Sequence, residues 1–241
     1  MNVNWTVAVS CLCLACVVGG VSSSAPLKDL PGCTFPEVEK CGYDFVPYFV
    51  KPTLAEDAKG LAALCKHVKT QLKCAEEFSD KCLEGLPKGV ISVMLMAVGE
   101  EYATFCNTTN PKHKEYLDSI KCINKAGQGI QKCARDMFVA MFRASKAPDQ
   151  QKIAYSCCYY EEFLECAEEA LMKGCKHPAA RKFFHDILDH VFGEVLGLAC
   201  GKYKKGTAAC EALPALPTKD DAKVRNKGFI EPLAIISSKL G

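Results

Sequence analysis

Beyond residue 24 the chain has no C-x2-C pair, so the spacing that structural zinc sites usually use is missing. Gly-rich phosphate loops, dinucleotide fingerprints and the nucleophile elbow of serine hydrolases are also absent. No catalytic motif stands out, and the expectation is a protein that is not an enzyme and needs no cofactor. The formal charge is only +2 over 241 residues, and aromatic residues are not interleaved with basic ones, which argues against nucleic-acid binding. Alternating apolar and polar runs and hairpin dipeptides are missing too, so β structure is not expected. What is abundant is cysteine, at 17 residues.

The first residues account for three of these. Trp5 to Val18 is an uncharged apolar run holding Cys11, Cys13 and Cys16, followed by glycines and Ser22-Ser23-Ser24. It reads as a secretory signal peptide over residues 1–23, cleaved between Gly20 and Ala25. The run is too short to span a bilayer. The longest later run, Val90 to Gly99, is interrupted by Ser92 and reads as a buried helix, so no transmembrane segment is expected. Fourteen cysteines remain: Cys33, Cys41, Cys65, Cys74, Cys82, Cys106, Cys122, Cys133, Cys157, Cys158, Cys166, Cys175, Cys200 and Cys210. An even set in an exported chain implies up to seven disulfides and an extracellular location, and it disfavours a free thiol nucleophile.

The cysteines fall into two matched frames. Residues 41–81 align without gaps on 133–173, with 12 identities in 41 positions, including Cys41/Cys133, Cys65/Cys157 and Cys74/Cys166. The closest stretch is Cys74-Ala75-Glu76-Glu77 against Cys166-Ala167-Glu168-Glu169. One inserted residue later Cys82 meets Cys175, and after another Cys106 meets Cys200, while Cys33 and Cys122 open the two copies. This reads as an internal duplication, with repeats over 33–106 and 122–210 and a C-terminal tail over 211–241. Cys158 and Cys210 have no counterpart, so the expected frame is three bridges in each half plus Cys158–Cys210. The pairing within a half stays open, because six cysteines allow many connectivities.

Helical periodicity dominates, giving an all-α fold: a disulfide-stapled helical bundle built from two duplicated halves. Pro178 opens a helix with Phe184, Leu188, Val191, Val195 and Ala199 on one face. Its counterpart near Pro87 is apolar nearly all round, as a central buried helix would be. Glu56–Phe78 and Asp149–Met172 read as paired amphipathic helices. Asn110-Pro111 starts another, which Gly127 and Gly129 are expected to interrupt before Ile130–Phe142 resumes. After Cys210, Pro214, Pro217 and the charges from Lys219 to Lys227 suggest an exposed linker. The apolar patch Phe229–Ile236 either folds back on the bundle or stays mobile.

Several residues could carry function. His185, Asp186, Asp189, His190 and Glu194 are the densest ligand-type set, but they do not match H-E-x-x-H and lie on the polar side of their helix, so no metal is expected. Asn107-Thr108-Thr109 is an N-glycosylation acceptor at a helix end. Gly201 to Lys227 is net basic, yet its charges are dispersed and mixed, as in a soluble linker. Met94, Met96, Met137 and Met141 sit with many phenylalanines on expected inward faces, where they either fill a core or line an adaptable pocket for an apolar small molecule or lipid.

The signal, the helical halves, the sequon and the C-x8-C-x7-C-x23-C run from Cys65 to Cys106, with its partner from Cys157 to Cys200, make the chain resemble the arthropod 27-kDa haemolymph glycoprotein family. The resemblance covers roughly Cys33 to Cys210. It implies a secreted, helical, disulfide-linked protein of body fluid or secretions, without a defined molecular function. The expected role is binding or structural. A carrier of a hydrophobic small molecule is the alternative. A lipid-active hydrolase is the third reading and would need a His-Asp dyad, which only the His185–His190 helix could offer.

Overall fold

The computed structural model describes residues 26–201, 203–204 and 206–239, apart from the side chains of Glu194, Val195 and Leu198. The signal segment 1–23 with its three cysteines lies outside the described residues, as do Lys202 and Lys205. Among the described residues the structure is helical, and an isolated bridge between Leu27 and Leu83 is its only β pairing.

Short α1 (Phe35–Glu39) precedes the long helices α2 (Ala58–Cys82), α3 (Gly85–Cys106), α4 (Pro111–Ser145), α5 (Lys152–Gly174) and α6 (Pro178–Ala199). Short α7 (Ala208–Glu211), α8 (Asp221–Val224) and α9 (Ile230–Ser237) follow. Side-chain caps set the starts of three long helices. Asp57 accepts from the Gly60 N–H at 2.7 Å to open α2, and Asn110 accepts from the Lys112 N–H at 2.9 Å with Pro111 in the first turn of α4. His177 Nδ1 accepts from the Ala180 N–H at 3.4 Å ahead of α6, again with proline in the first turn. The buried face of α2 follows helical spacing through Leu61, Val68, Leu72, Ala75, Phe78 and Cys82.

All fourteen described cysteines are paired. Cys33–Cys82, Cys41–Cys74 and Cys65–Cys106 tie α2 to the α1 region and to α3. Cys122–Cys175 and Cys133–Cys166 tie α5 to α4, and Cys157–Cys200 ties it to the end of α6. Cys158–Cys210 adds α7 to α5. Among the described residues no bridge joins 33–106 to 122–210.

Helix α4 runs unbroken for 35 residues, which corrects the expected interruption at Gly127 and Gly129. These glycines serve close packing instead. A Cβ on Gly127 would stand 1.9 Å from the Pro52 carbonyl oxygen, and one on Gly129 would stand 2.7 Å from the Ala170 Cβ. The missing side chains let the 43–56 loop and α5 approach the helix, and the packing offsets the propensity cost of glycine, about 1 kcal/mol each. The loop brought in this way includes Tyr48, whose backbone sits in the left-handed region at φ +62°. Its ring is buried, and its hydroxyl donates to Asn124 Oδ1 of α4 at 3.0 Å.

Helix α3 also differs from expectation. It buries Ile91, Met94, Leu95, Val98, Tyr102 and Phe105 but exposes Leu86, Val93 and Met96. Met96, expected to face inward, is 56% exposed. The helix continues past Gly99 to Cys106, so by length and composition alone it is long and apolar enough to cross a membrane, with 44% of its most apolar window buried.

The C-terminal apolar patch folds back. Ile230, Ala234 and Ile236 are buried, α9 packs on α3 and α4, and the Phe229 ring contacts Tyr43, Phe45 and Phe138. The preceding linker is held to α4 by ion pairs of Arg143 with Asp221, Lys146 with Asp220 and Arg225 with Asp136.

Replacing Gly127 with alanine is expected to cost about 1–3 kcal/mol of unfolding free energy, because the Pro52 backbone must move. Gly99→Ala, with nothing within 4 Å of the new methyl, is expected to gain about 0.5–1 kcal/mol. Denaturant midpoints check both, and equal midpoints would contradict this role for Gly127.

Candidate functional site

Two adjoining apolar cavities lie between the helices. The first, of about 90 Å³, is bounded by the 45–48 loop and by side chains of α3, α4 and α6, among them Val98, Tyr102, Ile120, Phe183, Phe184 and Val191. The second, also about 90 Å³, lies towards α5 and α9, between Val90, Met141, Cys157, Tyr160, Leu196 and Leu233. Met94, Met137, Phe138, Phe192 and Phe229 line both, so the two cavities share a wall along the bundle. Three of the four methionines picked out by sequence border these cavities. Met96 is the exception, because it points to solvent.

The tyrosine hydroxyls that line the first cavity are already engaged. Tyr48 donates to Asn124, Tyr102 to the Asp44 carbonyl at 3.4 Å, and Tyr116 to the Ala55 carbonyl at 2.9 Å. Burial, together with neighbouring negative or ionisable groups, raises the pKa of all three, so they stay protonated donors.

One charged residue lines the first cavity, Glu101 of α3, at 2% exposure. Lys112 Nζ of α4 donates to Oε1 at 3.1 Å and to Oε2 at 3.3 Å, and His190 Nδ1 of α6 stands 2.5 Å from Oε1. His190 Nε2 lies 3.3 Å from Glu100. Lys112 and His190 are partly exposed, so the cluster joins the apolar cavity to solvent. A buried carboxylate is tolerated only when paired in this way. Composition did not flag Glu101 or Lys112. The available signal was an acid inside an otherwise apolar helix.

The five ligand-type residues picked out on α6 do not converge. His185 faces Glu168 of α5 at 2.8 Å, Asp186 pairs with Lys182, and His190 faces the two α3 glutamates. Asp189 lies within electrostatic reach of Tyr160, and the side chain of Glu194 is outside the described set. Among the described residues, no group of three or more His, Cys, Asp or Glu is placed to hold a metal ion. The histidine partners on this helix are therefore glutamates, not the aspartate of the expected His-Asp dyad.

An Asp–His contact does occur elsewhere. In an open cleft of about 430 Å³ outside α2, His67 Nε2 stands 3.1 Å from Asp44 Oδ2, which also accepts from Gln71 Nε2 at 2.9 Å. Burial favours the neutral Asp44 acid, but the Gln71 and His67 hydrogen bonds and the Lys51 charge outweigh it and hold the carboxyl below its usual range. A hydrolytic dyad also needs a nucleophile on the histidine. His67 Nε2 is instead taken up by Asp44 and Gln71. These residues are 23 positions apart in sequence, and no motif announces them.

Asn107 is exposed just after α3, and its Oδ1 accepts from the N–H and hydroxyl of Thr109 at 3.1 and 2.8 Å. In the basic segment, Lys223, Arg225 and Lys227 are paired with Asp220, Asp136 and Glu231. No protein-family model, curated protein or solved structure matches the chain.

The acid limb of stability follows from carboxyls held below their usual range; Asp149 and Asp220 stand at the surface, and three others are placed to matter more. Asp44 is one. Glu168 is the second, with its desolvation outweighed by His185 and Arg181, and Asp221 is the third, held chiefly by the Arg143 hydrogen bond. Their stabilisation is present above the unfolded value near about pH 4 and is lost as pH falls through the lower folded values. Glu39, raised chiefly by burial, offsets part of this loss. Denaturation midpoints are expected to hold from neutral pH to about pH 5 and then drop, with a shallower drop in Asp221→Asn. The same acid limb in that variant would contradict the assignment.

Proposed function

We propose that this is a secreted, non-enzymatic protein that carries a small apolar molecule in the cavity between its helices. The carrying observation is the pair of adjoining cavities that share Met94, Met137, Phe138, Phe192 and Phe229. Interiors are normally close-packed, with few voids larger than a water molecule. At about 24 cal/mol per Å³, two empty cavities of this size cost roughly 4 kcal/mol. A ligand that fills them recovers that loss. Methionine and phenylalanine walls suit a guest of variable shape. This reading puts the carrier role ahead of a purely structural one. The hydrolase reading finds no nucleophile among the described partners of His185 and His190.

Secretion belongs to the same proposal. It is supported by the leading apolar run and by seven disulfides, which form and persist in oxidising compartments. Asn107 is the proposed glycan site, supported by its exposure and its contact with Thr109. Descent from one duplicated unit is supported by the pairing order: Cys33–Cys82, Cys41–Cys74 and Cys65–Cys106 correspond in the alignment to Cys122–Cys175, Cys133–Cys166 and Cys157–Cys200. Kinship with the arthropod haemolymph glycoproteins rests on the cysteine spacing that suggested it.

Titration with a neutral fluorescent naphthylamine probe tests the carrier role. The protein is expected to enhance probe emission saturably. Val98→Phe, which fills the cavity, is expected to weaken binding by about tenfold or more at unchanged helical content. Val93→Phe, on the exposed face of the same helix, should bind like the parent. Equal binding by the two variants, or no binding by the parent, would reject the carrier role.

A further inference from the structure

The carrier role leaves open which apolar molecule is held, and Glu101 narrows the choice. It is the one charged residue among the described lining of the first cavity. An ionised carboxylate offers about four acceptor positions. Lys112 and His190 take up Oε1, and Oε2 receives only the longer Lys112 contact at 3.3 Å. Acceptor capacity therefore remains on Oε2.

The hydroxyls of Tyr48, Tyr102 and Tyr116 donate to protein oxygens, so beside Glu101 the first cavity offers a guest little other polar chemistry, and Tyr160 lines only the second. A guest carboxylate would bring a second negative charge against Glu101 in an apolar site, which is costly. A guest ammonium would stand beside the Lys112 charge. A purely hydrocarbon guest would leave the spare acceptor of a buried, charged group unused, and hydrogen bonds to charged groups are among the stronger ones.

We infer that the ligand is an apolar alcohol: a hydrocarbon body in the space shared by Met94, Met137 and Phe138, with one neutral hydroxyl donating to Glu101. This rests on the carrier reading and deepens it. Glu101 is then the specificity residue, and Lys112 and His190 position its carboxylate from α4 and α6.

Displacement of the naphthylamine probe from the full chain by three guests tests the inference. Octanol offers a donor. Heptyl methyl ether is its isomer, and its oxygen only accepts. Octanoate carries the charge. Octanol is expected to displace the probe at roughly tenfold lower concentration than either of the others. In Glu101→Met the advantage over the ether should fall to within about twofold. Glu101→Gln keeps an acceptor and the side-chain shape. Its amide can also donate to the ether oxygen, so octanol's advantage over the ether should shrink while octanoate gains, because the like charge is gone. It also keeps the inference testable if the Met variant fails to fold.

If the ether matches octanol in the parent protein, or octanoate binds more tightly than octanol, the alcohol assignment is overturned while the carrier role stands. If the probe binds and none of the three displaces it, the alcohol assignment also falls. If the probe itself does not bind, the carrier role fails and takes the alcohol assignment with it.

Discussion

The structure depends on where its covalent bonds stop. Three disulfides tie α2 to its neighbours within residues 33–106, and four tie α5 to its neighbours within 122–210, yet among the described residues none crosses between the two sets. Each loop closed by these bridges spans 33–53 residues. In the chain-entropy account such a loop stabilises by about 4 kcal/mol. That is comparable to the cost of leaving the two cavities empty. Strong local stapling therefore tolerates cavities of this size along the unstapled seam.

Packing and hydrogen bonds hold the seam. Helix α4 offers side chains to the 49–56 loop of the other cysteine set. Gln131 and Arg135 donate to the carbonyls of Phe49 and Val50, Asn124 reaches Leu54 and Glu56, and Tyr116 reaches the Ala55 carbonyl. A loop with unpaired carbonyls could not lie against a helix, so these donors make the loop part of the core. Gly127 supplies the clearance. The apolar cavity lies along this seam, and Glu101, Lys112 and His190 meet on one side of it across three helices.

Much of the frame was legible in sequence. Proline marked the starts of α4 and α6, and the spacing of apolar residues marked the apolar face of α6. The matched cysteine register anticipated three bridges per set with Cys158–Cys210 as the extra pair. Tertiary contacts, which local rules do not carry, account for the rest. Gly127 and Gly129 read as breakers because the close approach of Pro52 and Ala170 is invisible along the chain. Met96 read as inward because α3 is apolar on a face that nothing covers among the described residues. The Glu101 cluster joins positions 11 and 89 apart, and neither spacing is a motif.

The central claim is that the seam cavity holds a small apolar guest when the protein leaves the cell. Native mass spectrometry of the protein purified from its secretory source, without organic solvent, reads this directly. The account predicts a population heavier than the disulfide-bonded, glycan-trimmed chain by the mass of one small molecule. That molecule should be extractable into organic solvent and missing from Val98→Phe. A single mass equal to the trimmed chain, together with an extract empty of any stoichiometric apolar compound, would contradict it.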